Sequence, residues 1–527
     1  MGDAVLERTP PAQQRWPRVN SLQMTLCLPF VHRFGSRDLQ ALPLGEDSPW
    51  RHWLSRIKQS DVAKVCDYSY FFVPEARKLL FPEWEGWEGR DADFPVAPAD
   101  ATLNGFREYL ATLDTAFTPR SYDETAARLT WSRQNAWMNA ALTAYGSGIP
   151  NGVRFTVDWV DALLLPEHIG VLMMSVRAIG PLTLPESAAF LRVMKKRVYR
   201  RRLTVDVADI EAPGGAMTGW TTIVDEILEE LRELDPRWGG PAIAETFGTN
   251  FSFITVAGIA HNSRIRPLHP FIDVLEQACF SIATGHGGRT EVDRFSQAGM
   301  EELRRVQAFN SWENWRVLSY DDSLSITMLS GRDDLDRNVT TIWDLVEWAY
   351  CLMHGLLLAQ RVRLHLLAAQ VQATPTVLDA AVTHVENTER AFVKFRRILW
   401  FHQVTTAPVG ARIYNLLRHR MELDSLSDFL KEELAIVKGR IDAEWLQEEK
   451  KSSLRMARML EFLTILGVPL ALYVALTQPP LDLRKTSVLG GGGWLATLVL
   501  PGLLTISAIA YIVARGGRRT IFRRSRS

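Results

Sequence analysis

The sequence predicts a cytoplasmic α+β domain that gives way to a helical bundle, a long stalk helix and a C-terminal transmembrane two-helix hairpin. Three observations predict it. Met459–Thr477 and Trp494–Val513 are each apolar for long enough to cross a ~30 Å hydrocarbon core, and Glu461 is the one charged residue within them. Strand-type alternation is confined to the chain before Val339. From Leu423 to the membrane no proline interrupts the chain, and Leu426, Leu430, Leu434, Val437, Ile441 and Trp445 recur at steps of three and four as one helical stripe.

Taken in order, Met1–Asn20 is rich in Pro, Gln and Arg, lacks the apolar region of a signal peptide and reads as disordered. Ser21–Phe34 opens the α+β domain (21–335), with Leu22, Met24, Leu26 and Leu28 spaced as in a half-buried strand. Pro43–Trp53 reads as loop, and Tyr68–Phe81 as a strand broken at Pro74 into a short amphipathic turn. Glu83–Pro98 is acidic, aromatic and turn-rich, an exposed loop. In Val153–Ile179, alternating Val153, Phe155, Val157 and Trp159 lead through Pro166-Glu167-His168 into Val171–Val176, a strand, turn, strand unit. Thr183, Pro185 and Glu186 then carry a helix start, with a cap and a proline near the first position. Phe251–Ile259 is a further strand, and Trp315–Leu329 a hairpin turning at Asp321-Asp322. Trp343–Gln372, Val377–Val404 and Ala411–Met421 are helical in pattern; the bundle is set at 336–422 and the stalk at 423–458.

The hairpin (459–515) contains Pro469 and Pro501, which membrane helices tolerate because neighbouring helices satisfy the freed carbonyls. Lys450, Lys451, Arg455 and Arg458 precede it, and Arg515, Arg518, Arg519, Arg523, Arg524 and Arg526 follow in a basic tail (516–527). Basic flanks stay inside, so both termini are placed in the cytoplasm of a multi-pass plasma or inner-membrane protein, with Gln478–Gly493 outside. A helix running from Leu423 to Thr477 is about 80 Å long at 1.5 Å per residue, and its stripe must be buried against copies of itself or against the preceding helices. Because one hairpin offers too little surface, a homo-oligomer is expected.

Composition narrows the partners. The chain has 527 residues, 47% of them hydrophobic, and 60 basic against 60 acidic side chains, so no global imbalance points to nucleic acid, and no direct nucleic-acid binding is expected. Cys27, Cys66, Cys279 and Cys351 are scattered without a CxxC pair, as suits reduced thiols in cytosol.

The order of elements resembles the CorA superfamily of divalent-cation transporters: a cytoplasmic α+β domain, a helical hairpin, one very long helix entering the membrane, a short external loop, a second membrane helix and a basic tail. The resemblance implies a homopentamer embedded in a lipid bilayer, a pore lined by the first membrane helix, and Mg²⁺ or another divalent cation as cargo. The family's Gly-Met-Asn signature is replaced by Thr477-Gln478-Pro479-Pro480, so magnesium selectivity is not implied. CorA-like membrane parts also resemble those of prokaryotic defence effectors, CRISPR-associated ones included, which answer a nucleotide messenger.

Leu460, Thr464, Gly467, Ala471, Ala475 and Gln478 form a largely small or weakly polar face of the first membrane helix. That face suits a pore lining and equally suits close helix packing. Arg192–Arg202 carries seven basic residues, among them Arg192, Lys195, Lys196, Arg197 and Arg200, fit for an anionic ligand such as a nucleotide or for a solvated face with inter-subunit ion pairs. Thr284–Thr290 reads as a glycine-rich loop rather than a phosphate cradle, and no nucleophile, P-loop or metalloprotease motif is present, so an enzyme is not expected. His354, His365, His384 and His402 are read as helical packing or surface residues. Asp424, Asp428, Glu432 and Glu433 at the top of the stalk suit a solvated face or a regulatory cation between protomers.

Overall fold

The computed structural model describes residues 17–32, 48–53, 68–69, 71–81, 126–131, 138, 140–196, 208–233, 243–246, 251–260, 273–285, 301, 308–312 and 314–477. The expected second membrane segment Trp494–Val513, the expected external link, the basic tail and the expected loop Glu83–Pro98 lie outside them. In chain order the elements are β1 (Arg18–His32), β2 (Trp50–His52), α1 (Pro74–Leu80), β3 (Ala127–Trp131), β4 (Leu142–Gly146), β5 (Ile149–Leu165), β6 (Ile169–Ala178) and β7 (Leu182–Thr183). There follow α2 (Leu184–Lys195), β8 (Asp209–Glu211), β9 (Met217–Gly219), α3 (Trp220–Arg232), β10 (Ile243–Thr246), β11 (Ser252–Ala260) and α4 (Val274–Thr284). The remainder are β12 (Ala308–Trp312), β13 (Trp315–Tyr320), β14 (Ser323–Ser330), α5 (Asp333–Leu345), α6 (Cys351–Gln372), α7 (Leu378–Ile398), α8 (Pro408–Arg420) and α9 (Leu423–Thr477).

Among the described residues all the strands belong to one sheet, whose main path runs β12-β13-β14-β11-β1-β6-β5-β4-β8-β9. Pairing is antiparallel except between β11 and β14. Successive side chains of a strand face opposite ways, and here both faces are covered. Leu22, Met24, Leu26, Leu28 and Phe30 of β1 join Phe155, Phe190, Trp220, Ile223 and Ala278 in one core with α2, α3 and α4. On the opposite face, α6 packs against β6, β1 and β5. The half-buried strand expected at Ser21–Phe34 is therefore buried on both faces. Its second face is made of Gln23, Thr25 and Cys27, all at most 4% exposed, and Gln23 donates to Ser175 Oγ at 3.0 Å. Polar residues in the sequence mark a buried face here: Gln23 is held by its bond to Ser175, while the Thr25 hydroxyl is buried without a hydrogen-bond partner.

Several expectations are met by local chemistry. Thr183 and Glu186 form a reciprocal capping box, with Pro185 in the first turn, and α2 begins as the sequence requires. The Asp321-Asp322 turn joins β13 to β14. The turn between β5 and β6 puts Glu167 and His168 in the left-handed region, φ 70° and 66°, which costs a non-glycine residue energy. Glu167 is buried there and clamped by Arg363 of α6 at 2.7 Å and Lys394 of α7 at 2.6 Å, contacts that hold the turn in that conformation.

Others are corrected. Trp50–His52 is a strand pairing with β3 rather than loop, because Trp50 and Trp53 are fully buried. Just before Pro74 the described residues form no strand: Tyr68–Ser69 is helical, and Phe72 makes a lone bridge to Thr405. Helix α7 ends at Ile398 instead of Val404, and Trp400–Thr405 is irregular, with Val404 and Thr405 buried.

Two compact units result, one of residues 1–373 and 386–434, the other of 374–385 and 435–527. Helix α9 runs unbroken for 55 residues through Pro469. Leu430, Leu434 and Ile441 of its stripe are buried within the single chain, while Trp445 is 54% exposed. Within the single chain the stripe is therefore partly covered as far as Ile441, with Leu426 and Val437 half-buried.

Candidate functional site

Beyond Trp445 the environment of α9 changes. Met459, Leu460, Phe462, Leu463, Val468, Leu470 and Leu472 are each 49–69% exposed. At 100° per residue they fall on every side of the helix, so no rotation hides them. Of the residues assigned to a pore face, Leu460 and Thr464 are exposed, Thr464 returns its hydroxyl to Leu460 O at 2.7 Å, and a methyl group on Gly467 would meet nothing within 4 Å. Ala471 and Ala475 continue the same helix, and Gln478 lies outside the described residues.

The basic run is broken up. Helix α2 ends at Lys195, and Lys196 is already extended at φ −82°, ψ 130°, so it is not on the helical face. Arg192 donates to Ser147 O at 3.0 Å, while Arg197 and Arg200 lie outside the described residues.

Lys195 instead borders a cleft of about 680 Å³, within the range of small-molecule sites. Its walls come from distant segments: Pro29 of β1, Phe251 and Ser252, the Asp321-Asp322 turn, Leu358, Arg361, Val362 and His365 of α6, and Arg420 and Glu422 where α8 meets α9. Lys195 pairs with Asp321 at 3.4 Å, and Arg361 pairs with Asp322. Arg420 lies 6.0 Å from the centre of the Tyr320 ring. Desolvation, then the Arg361 charge, lowers the His365 pKa, against the pull of Asp322.

Under this floor, Ser252 Oγ donates to Asp322 O at 2.5 Å and contacts His354 Nε2 at 2.6 Å. A hydroxyl has one proton; with it given to the carbonyl, Nε2–H of His354 is the donor and cannot serve as base. Burial pushes the His354 pKa down to about 3, and its Nδ1 has no hydrogen-bond partner. The pair therefore locks the hairpin turn to α6 and is not an activated nucleophile.

The corner into α9 is held by Arg418, only 5% exposed, which grips Asp424 at 2.6 and 3.0 Å and lies 4.4 Å from the Trp400 ring centre. Arg418 holds the Asp424 carboxyl below the usual carboxylate range. Asp428 pairs with Lys431. Among the described residues no group of three or more His, Cys, Asp or Glu within one chain is placed to hold a metal. Cys27, Cys279 and Cys351 are buried and not joined to one another by disulfides, and Cys66 lies outside the described residues.

The sequence named Lys195 and His365 but for other roles. Arg361, Arg420 and Glu422 had no local signal, because the cleft is assembled from segments hundreds of positions apart.

No protein-family profile matches the chain, and no curated protein matches it. Among solved structures, a similar chain is the CorA magnesium transporter from Methanocaldococcus jannaschii, with 10% identity over 51% of this chain and 94% of that one, at a TM-score of 0.18. The likeness is weak and fixes neither fold nor activity.

Proposed function

We propose that the chain is an integral membrane protein in which the 459–477 end of α9 crosses the bilayer in a homo-oligomer and lines a cation path. The observation that supports this reading is the ring of exposed apolar side chains from Met459 to Leu472. Left in water, seven such roughly half-exposed side chains would cost on the order of 6 to 12 kcal/mol, which lipid and neighbouring copies of the helix remove. A face of Leu460, Thr464, Gly467, Ala471, Ala475 and Gln478 then offers hydroxyl, carbonyl and amide oxygens to a hydrated cation, with apolar turns able to close by dewetting. Cation as cargo, and five copies around the axis, come from the order of elements shared with the CorA superfamily.

Cation uptake into proteoliposomes made with the full chain tests it. Ala471→Asp, which puts a ring of carboxylates on the path, should change cation flux, whereas Leu472→Asp, one residue round, should mainly reduce insertion. Equal effects at the two positions, or no flux from the parent protein, would leave a membrane-anchored scaffold as the reading. A cysteine at Ser487 should react with an impermeant maleimide on intact cells and one at Ser525 should not.

A further inference from the structure

The cleft beside the start of α9 has a charge pattern that selects among ligands. Three cationic side chains, Lys195, Arg361 and Arg420, face three carboxylates, Asp321, Asp322 and Glu422. Two pairs are already closed, Lys195 with Asp321 and Arg361 with Asp322. What remains is Arg420, whose guanidinium lies 6.0 Å from the Tyr320 ring centre, and Glu422; among the described residues neither has an ion pair. They sit two residues apart on the corner where α8 becomes α9, and Glu422 is held there at φ 55°.

A lone phosphate would gain one unpaired cation and meet an unpaired carboxylate beside it. A divalent cation would find one unpaired carboxylate, too few to hold it. A ligand carrying both charges satisfies both residues, with a carboxylate matching the fork of Arg420 and an ammonium matching Glu422. Pro29, Phe251, Leu358 and Val362 supply apolar wall for the carbon skeleton between or beside the two charges. The floor is preorganised, since Ser252 and His354 fix the Asp321-Asp322 turn before any ligand arrives.

We propose that this cleft binds a small zwitterion of the amino-acid or short-peptide class, its carboxylate on Arg420 and its ammonium on Glu422. The site adjoins Leu423, the first residue of α9, so occupancy bears on the corner from which the long helix springs. The assignment stands whether or not the membrane part conducts, because binding is read without flux.

The test uses the full chain in detergent, with the standard free amino acids and glycylglycine as probes and acetate, phosphate and ethylammonium as single-charge controls at equal ionic strength. Thermal unfolding and calorimetry should find at least one zwitterion that binds saturably. Its N-acetyl and methyl-ester derivatives should each bind at least tenfold more weakly. Arg420→Gln and Glu422→Gln should each weaken it tenfold or more, while Arg232→Gln, which breaks the remote surface pair with Glu229, should not. If either cleft variant fails to fold, the ligand derivatives still read the two-charge requirement. No binding by any zwitterion, equal binding by a single-charge control, or binding that survives both derivatives would overturn the proposal.

Discussion

Two helices of this protein are rich in apolar residues and have opposite fates. Among the described residues, the continuous helical run Asp333–Gln372 is long and apolar enough to cross a membrane, yet 72% of its most apolar window is buried inside the protein. Leu356, Leu357, Ala359 and Leu364 of α6 are each at most 1% exposed, under the sheet. The far end of α9 is as apolar, and its leucines stand in the open. Composition reads the same in both. What separates them is whether the fold offers a complementary surface: β1, β5 and β6 give α6 a floor, whereas among the described residues Trp445, Leu460, Leu463, Leu470 and Leu472 of α9 stay exposed. An apolar helix with a floor is core; one without it needs lipid or another copy of itself.

The strongest way to break this comparison is to place a charge in each helix. Leu357→Asp should abolish folding, because an isolated carboxylate would be buried without a partner. Val468→Asp, at the centre of Met459–Thr477, should leave the secondary structure unchanged and reduce membrane association, at a cost of about 3 kcal/mol for a charge near the middle of a spanning helix. Circular dichroism and membrane flotation read the two outcomes, and a soluble, folded Leu357→Asp protein would undo the assignment of α6 to the core.

Charge is tolerated beneath α6 only when paired. Arg128 and Asp161 are 2% and 0% exposed and meet at 2.6 Å, with the guanidinium 4.9 Å from the Trp53 ring centre and 5.9 Å from that of Trp348. Asp161→Ala should destabilise by roughly 3 to 5 kcal/mol in denaturant unfolding, while Arg128→Met with Asp161→Leu should recover most of that loss.

A third test uses the histidine on α6. His354 is neutral when folded, with its pKa held near 3, while in the unfolded chain it takes up a proton around 6.5. The unfolded state therefore binds more protons as pH falls, and the stability His354 contributes is lost progressively from about pH 6.5 downward. Between pH 7 and pH 5 the expected loss is about 2 kcal/mol from this residue. His354→Gln should flatten that part of the pH profile of chemical unfolding; an unchanged slope would place the residue in contact with water.

The smallest effects are the most discriminating. A methyl group on Gly355 of α6 would meet Leu163 at 3.5 Å and Met173 at 3.8 Å, ordinary contacts, so Gly355→Ala should stabilise the fold by up to about 1 kcal/mol through helix propensity alone. Gly467→Ala finds open space within one chain and should be neutral or helpful to a monomer. If α9 packs closely against its copies, the same change should loosen the oligomer, as native mass spectrometry would show by a shift toward smaller species.

Legibility in the sequence followed the range of the interaction. The capping box at Thr183, the hairpin at Asp321-Asp322, the β5–β6 unit and the unbroken helix from Leu423 are encoded by neighbours within a few residues, and the sequence by itself determined them. The apolar character of the α9 end was fixed in the same way, by the run Met459–Thr477 itself. Tertiary structure alone decided that the polar face of β1 lies buried under α6, since Gln23 and Ser175 must meet across strands before either can leave water. It also decided that Trp50 closes a sheet edge, and that Lys195 leaves its basic run to face Asp321, Arg361 and Arg420. Those outcomes depend on contacts between residues far apart in the chain, which only the folded backbone brings within the few ångströms where hydrogen bonds and ion pairs act.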